Sequence, residues 1–256
     1  YRDGAWEDTF GGYLYSNYEA YRDRSAVFTT LMAFREQISM LHVDEAVERI
    51  EGLAVSTNYF STLGLRPALG RLIVPEQGQS PTDYLPVAVI SHRLWHRRFA
   101  GCADIVGRQI VLDNRALTIV GVTPPGFTGT TVGYPADIFV PLGTAVHGQS
   151  QGIQSLSGVC LLGRLKPGVS REQAQAALQV LDSQLAPPEP GKSQVRALVL
   201  DGSQGYVPAD ARVATYPLAL FLGVAALVLV IACANIGSLQ LARAVTRHQE
   251  IAIRRA

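Results

Sequence analysis

The chain has 256 residues, of which 48% are apolar and 17% charged, and its formal net charge is +1. That length suits one sizeable domain, or two small ones with an added segment. The near-neutral charge leaves no basic stripe for nucleic acid, and three cysteines (Cys102, Cys160 and Cys233) make no disulfide framework. Cys102 and Cys160 could pair in an oxidising compartment, although two lone cysteines are more often free.

In chain order, Ser16-x-x-Glu19 has the form of a capping box, in which side chains satisfy the free N–H groups of a helix start. Tyr18, Tyr21 and Phe28 are placed on one face of the helix that follows. Leu31 to Leu41 reads as a strand, and Glu48 to Ser56 alternates well enough for a second. Asn58 is placed to cap a short helix, Tyr59 to Leu63, stopped by Gly64 with Pro67 beyond it. A loop from Pro81 to Pro86 precedes a short buried-type strand, Val87 to Ile90. Ser91 then caps a helix through Phe99, with Trp95 and Phe99 one turn apart. Gln109 to Leu112 and Ala116 to Val122 form a hairpin joined by Asp113-Asn114-Arg115. The turn-rich Pro124-Pro-Gly-Phe-Thr-Gly129 leads to a strand at Asp137 to Leu142. Gly143 to Ser157 is polar and Gly-rich and reads as a mobile connection. Val159 to Leu165 is a strand, and a Ser-x-x-Gln box at Ser170 opens a helix with Ala174, Ala177, Leu178, Leu181 and Leu185 on its core face. Pro187-Pro-Glu-Pro breaks that helix, and Val195 to Leu200 is a further strand. This rhythm predicts an α+β domain whose first and last parts pack together around an insertion of about residues 85–150.

The shortage of charge is local. From Val213 to Ala242 there is no charged residue, a run of 30; the chain up to Thr215 carries net −2, and the remainder net +3. A helix of ~20 residues crosses the ~30 Å hydrocarbon core of a bilayer. The ten large apolar residues between Leu218 and Ile231 favour insertion by roughly 3–6 kcal/mol. Pro217 suits a first helical turn, and Tyr216 an interfacial aromatic position. Arg243, Arg247, His248, Arg254 and Arg255 follow the run, so the C-terminus is expected in the cytoplasm and residues 1–215 outside. Ala234, Ser238 and Ala242 recur every fourth residue beside Asn235, a spacing that lets another helix approach closely; chance in an Ala-rich helix explains it equally well.

Catalytic signals are absent from the sequence. His92 and His96 are spaced i, i+4 but lack the Glu of His-Glu-x-x-His. Arg93, Arg97 and Arg98 flank them and disfavour a cation, so a solvated helix face is the reading. Gly191-Lys192-Ser193 has the ending of a phosphate-binding P-loop, but Ala186 stands where the first Gly belongs, and a strand rather than a helix follows. There is no Gly-x-Ser-x-Gly elbow and no Cys-x-x-Cys pair.

A longer string carries more information: Val55-Ser-Thr-Asn-Tyr-Phe-Ser-Thr-Leu-Gly-Leu-Arg-Pro-Ala-Leu-Gly-Arg71, Val87-Ala-Val-Ile-Ser-His-Arg-Leu-Trp95, Arg98-Phe99, Ile105-Val-Gly-Arg108 and Ile119-Val-Gly-Val-Thr-Pro-Pro-Gly-Phe127. It resembles the MacB-like periplasmic core domain of ABC-transporter permeases. Ile231-Ala-Cys-Ala-Asn-Ile-Gly-Ser-Leu239, Leu241-Ala-Arg243 and Glu250-Ile-Ala-Ile-Arg254 resemble the opening of the FtsX-like permease domain. The resemblance implies a porter-like part of β-α-β units (residues 1–84 and 151–212), an inserted strand-rich subdomain (85–150), and one transmembrane helix with the start of a cytoplasmic segment (213–256). It implies a bacterial inner-membrane permease subunit with no catalytic, cofactor or metal residues of its own. ATP is expected on a separate cytoplasmic ABC ATPase subunit, and the other implied partners are a second permease copy or homologous half, the lipid bilayer and a periplasmic adaptor. Arg247, Glu250, Ile251 and Arg254 match the stretch leading toward the ATPase; Glu250 and Arg254 are i, i+4 in the favourable order. A stop-transfer flank is the plainer alternative. The chain begins at Tyr1 with no secretory leader, so it is expected to be a piece of a longer polypeptide with further transmembrane helices at both ends. Two other classes stay open: a membrane-anchored binding or sensor module without an ATPase, and an anchored hydrolase using His42 or His147, for which no nucleophile–base constellation is visible.

Overall fold

The computed structural model describes residues 13–43, 46–75, 83–146, 156–185, 198–203, 205–206 and 221–237. In chain order the elements are α1 (Tyr15–Arg24), β1 (Phe28–Val43), β2 (Ala46–Val55), α2 (Tyr59–Leu63), β3 (Leu69–Gly70), β4 (Val87–Ile90), α3 (His92–Phe99), β5 (Gln109–Leu112), β6 (Arg115–Val122), β7 (Ile138–Pro141), α4 (Leu142–Val146), β8 (Cys160–Leu165) and α5 (Arg171–Leu185). A sixth helix, α6, covers 221–237. Helices and strands are mixed along the chain, as the rhythm of the sequence implied. Residues up to Tyr206 form one unit and those from Val207 another.

The 16-residue β1 organises the first unit. Leu31 to Phe34 are buried in succession, whereas further on Ser39, Leu41 and Val43 are buried and Ile38 and Met40 are exposed. An unbroken buried run marks a strand covered on both faces, and alternation marks one covered on a single face. Accordingly Leu31 and Ala33 belong to one hydrophobic cluster, and Met32 and Phe34 to another.

β2 returns antiparallel to β1, with Phe34 opposite Val55 and Val43 opposite Ala46. The other edge of β1 is shared between two strands. β8 lies along its first half, with Phe34 opposite Cys160, and β5 meets its end, with Leu41 opposite Leu112 and His42 opposite Val111. From β5 the pairing continues through β6, β4 and β7 and returns to β2, so six strands close a ring. The segment expected as an insertion supplies β4 to β7, which are hydrogen-bonded into both β1 and β2. The larger cluster takes in Leu41, Ile50, Ile90, Ile110, Leu117, Ile119 and Ile138 from the ring, Leu94 and Phe99 from α3, Tyr15, Tyr18 and Tyr21 from α1, and Leu178 from α5. The smaller packs Tyr59 and Phe60 of α2 against Met32, Phe34, Leu53, Val55 and Phe139. There Phe60 meets Tyr59 and Phe139 edge-on, at 5.1 and 5.4 Å between ring centres, a favoured aromatic geometry.

Several local readings hold. Ser91 Oγ accepts from Leu94 N at 3.0 Å and caps α3. Ser170 and Gln173 cap α5 reciprocally, at 2.9 and 3.2 Å. Gly64 ends α2 in the left-handed region at φ 68°. Others give way. α1 starts at Tyr15 after Leu14, with no side-chain cap, so Ser16 lies inside the helix. The buried Tyr15 sets the start, with its N–H donating to Leu156 O at 2.9 Å. Phe28 belongs to β1 rather than to the face of α1. Asn58 does not cap α2 with its side chain: its Nδ2 donates to Leu31 O at 2.8 Å and ties α2 to β1. The hairpin turn is two residues, Asp113 and Asn114 at φ 48° and 63°, both left-handed as a type I′ turn requires, so Arg115 already lies in β6. Leu142–Val146 is a helix where the last residue of a strand and the start of a connection were expected, and residues 147–155 lie outside the described residues. Residues 198–200 are not a strand; 195–197 and Pro187-Pro-Glu-Pro are not described.

In the second unit, α6 exposes every residue of the chain taken alone. Among the described residues no helix is long and apolar enough to cross a membrane. The 17 residues of α6 rise about 26 Å at 1.5 Å each; the rest of the uncharged run, 213–220 and 238–242, lies outside the described residues.

Two predictions follow from the packing of the first unit. Gly121 lies opposite Gly70 where β3 pairs with β6, and a Cβ there would stand 2.1 Å from Arg71 O. Gly121→Ala should therefore lower stability by about 1–3 kcal/mol, seen as an earlier thermal transition by circular dichroism. Burial raises the Cys160 thiol to about 11 and the Tyr59 hydroxyl to about 12, from ordinary values of 9.0 and 10.0. Below about pH 9 both groups are neutral in either state. Above it the unfolded chain ionises first, so the melting temperature should hold to about pH 9 and fall between about pH 9 and 12.

Candidate functional site

No catalytic constellation forms among the described residues, and no three His, Cys, Asp or Glu side chains converge as metal ligands there. What the fold builds instead is a set of fastenings around the β1–β2 hairpin, and one apolar groove.

The first fastening joins the two helices at the β8 end. Tyr21 Oη donates to Asp182 of α5, and the Tyr13 ring stands edge-on to Tyr21 at 5.8 Å. Tyr13 is held by paired backbone hydrogen bonds with Val159, at 2.8 and 3.0 Å. Burial, and then the neighbouring Asp182 carboxylate, push the Tyr21 hydroxyl well above its usual range, so it remains a donor.

The second fastening holds α3 to the ring. Arg93 and Arg97, i and i+4, point at Asp137, which is almost wholly buried just before β7. Arg93 Nη2 lies 2.9 Å from Asp137 Oδ1, and Arg97 Nη2 lies 3.1 Å from Oδ2 and 2.6 Å from Glu48 Oε1. Arg93 also donates to Pro135 O at 2.8 Å, and Arg98 to Val43 O at 3.2 Å. Burial works against the Arg97 charge, but Asp137 and Glu48 outweigh it and raise its pKa. One face of a short helix thus reaches β1, β2 and the start of β7.

The third is the seam between β1 and β5. Only two residue pairs form it, and Asp113 reinforces it: Oδ1 accepts from Met40 N at 2.7 Å, and its own N–H donates to Met40 O at 3.0 Å.

A groove of about 580 Å³ opens beside β8, walled by Phe28, Leu31, Leu161, Leu165 and Leu178, with Arg171 also lining it. Its walls suit an apolar group.

Of the residues singled out in the sequence, Ala234 and Asn235 lie exposed on α6. Ser238, Ala242, Arg247, Glu250, Ile251 and Arg254 lie outside the described residues, as does His147. His42 stands opposite Val47 and Val111 on neighbouring strands. Cys102 and Cys160 are free thiols. The Asp137 clamp escaped the sequence reading. The i, i+4 spacing of Arg93 and Arg97 was its only local sign, and the partner carboxylate stands 40 residues beyond Arg97.

The model of the MacB-like periplasmic core domain family matches residues 10–181. The chain belongs to this family. The match runs from before α1 into α5 and includes all three fastenings except Asp182. Among solved structures, this MacB-like domain resembles the periplasmic region of MacB from Actinobacillus actinomycetemcomitans, with a TM-score of 0.52, 17% identity, and 68% of this chain and 75% of that one covered. It also resembles the extracellular domain of the noncanonic ABC-type transporter YknZ from Gram-positive bacteria, with a TM-score of 0.50, 12% identity, and coverages of 68% and 82%. At these identities the likeness is one of fold. No curated protein sequence matches the chain.

Asp137→Asn should cost about 1.5–3 kcal/mol, the range for hydrogen bonds to charged groups. Because Arg93 and Arg97 are nearly half exposed, solvent screening favours the lower half of that range. A shift in the urea unfolding midpoint reads it; a midpoint equal to that of the unsubstituted chain would show that the clamp adds nothing.

Proposed function

We propose that this chain is part of a permease subunit of an ABC transporter. Its MacB-like domain moves outside the membrane in response to ATP hydrolysis on a separate cytoplasmic subunit. The family match over residues 10–181 carries this reading.

Two physical features support it. The first is α6, with Phe221 at 78%, Leu222 at 65% and Leu229 at 65% exposure and no charged residue. An apolar surface all round a helix is costly in water and suited to lipid. With the flanking uncharged residues 213–220 and 238–242 continuing the helix, it would span the bilayer, leaving Arg243, Arg247, Arg254 and Arg255 on the cytoplasmic side and residues 1–215 in the periplasm. Arg247, Glu250, Ile251 and Arg254 would then lead toward the ATPase. Ala234, Asn235, Ser238 and Ala242 would meet a neighbouring helix of the permease or of its second copy. The second feature is the β1–β2 hairpin, which pairs with β8 at one end and with β5 and β7 in the ring. A stiff element shared by both regions can carry a displacement from one to the other, provided that the domain has two discrete arrangements. On this reading the chain binds no nucleotide, and its porter-like part is the region around α1, β8 and α5.

Thiol labelling tests the orientation. Cys102 is exposed and should react with a membrane-impermeant maleimide added to intact spheroplasts, whereas an Arg247→Cys thiol introduced together with Cys102→Ser should react only after permeabilisation. The opposite pattern would overturn the topology. Co-purification of the full-length permease with a nucleotide-binding subunit tests the coupling; its absence would favour a sensor module.

A further inference from the structure

α3 presents His92 and His96 one turn apart, with ring centres 4.5 Å from each other. Residues at i and i+4 are neighbours on one helical face, and two histidines at that spacing can bind one metal ion, as in His-Glu-x-x-His. In the sequence, the flanking arginines argue against a cation here. The fold answers that objection for two of the three arginines. Arg93 and Arg97 are turned to Asp137 and Glu48, whose two negative charges offset theirs, and Arg98 reaches Val43 O. The Arg93 and Arg97 contacts lie about 100° around the helix from the histidine face.

The pair is also held in place. The Ser91 cap fixes the first turn of α3. Trp95 packs against both rings, with centres 5.4 Å from His92 and 4.7 Å from His96. His96 rests on Gly101, in the left-handed region at φ 68°, where a Cβ would stand 3.0 Å from the ring. Trp95 Nε1 donates to Cys102 O at 2.9 Å and fixes the loop behind it.

We propose that His92 and His96 form a two-ligand surface site for a borderline divalent transition metal, of the class of Ni²⁺, Cu²⁺ or Zn²⁺. Imidazole nitrogens suit these ions. No third His, Cys, Asp or Glu joins them among the described residues, so the remaining positions are open to water or to a donor from another molecule, and the site is weak on its own.

Trp95 is the reporter. In the intact chain in detergent, carrying Trp6→Phe so that Trp95 is the only indole, Ni²⁺ is titrated while fluorescence is followed. Ni²⁺ is chosen because Cu²⁺ would oxidise the exposed Cys102 thiol. The expected result is a saturable quench, reversed by EDTA. His92→Ala and His96→Ala should each weaken it by at least about tenfold, since loss of even an outer-shell partner costs 10–100-fold. Cys102→Ser should leave it unchanged. A quench of equal midpoint in both histidine variants, or one lost on Cys102→Ser, would overturn the site. Circular dichroism melts confirm that each variant is folded, and His96→Gln, which keeps a polar side chain of similar reach, replaces any that is not.

Discussion

The burial of β1 on both faces from Leu31 to Phe34 is the constraint on which the rest of this domain depends. A strand covered twice needs two layers of partners. One layer is supplied by α1 and α5 with their tyrosines and leucines, the other by α2 with Tyr59 and Phe60. Beyond Ile38 the same strand has only one covered face, and there the chain closes a ring with β2, β7, β4, β6 and β5. Closure gives the ring strands hydrogen-bonding neighbours on both sides and leaves little edge to template other chains.

α3 shows how apolar and ionic contacts divide the work. Leu94 and Phe99 are buried in the larger cluster, and full burial of such side chains contributes about 1.5–3 kcal/mol each. The ion pairs to Asp137 and Glu48 are partly solvent-screened and contribute less. Their effect is directional: they select which face of the helix meets β2 and β7, and so which face carries His92 and His96 outward. Burial of Leu94 and Phe99 and the ion pairs favour the same rotation of α3 about its own axis.

Sequence reasoning succeeded where the deciding interaction is local. Ser91 with Leu94, Ser170 with Gln173, Gly64 after α2 and the strand Val87–Ile90 each depend on residues within one turn or on a run of β-branched side chains, and each formed as read. It failed where a distant partner claims the residue. Ser16 has the same pattern as Ser170, yet burial of Tyr15 starts α1 two residues earlier than a Ser16 cap would. Asn58 has the right type and place for a cap, yet Leu31 O takes its amide. The candidate site was legible to the same extent. The arginines and histidines of α3 could be listed from their spacing, but their separate roles could not, because Asp137 and Glu48 reach α3 only through sheet pairing.

From the sequence alone came the mixed class, the MacB-like resemblance, the uncharged run of 213–242 and most element boundaries, because periodicity, capping and composition act over a few neighbouring residues. Only the tertiary structure decided that the strands of residues 85–150 close a ring with β1 and β2, and that Asp137 and Glu48 engage the two arginines beside the histidine pair. Each of these depends on contacts between residues far apart in the chain, whose partners are chosen by shape and burial in the folded state rather than by any pattern that neighbouring side chains display.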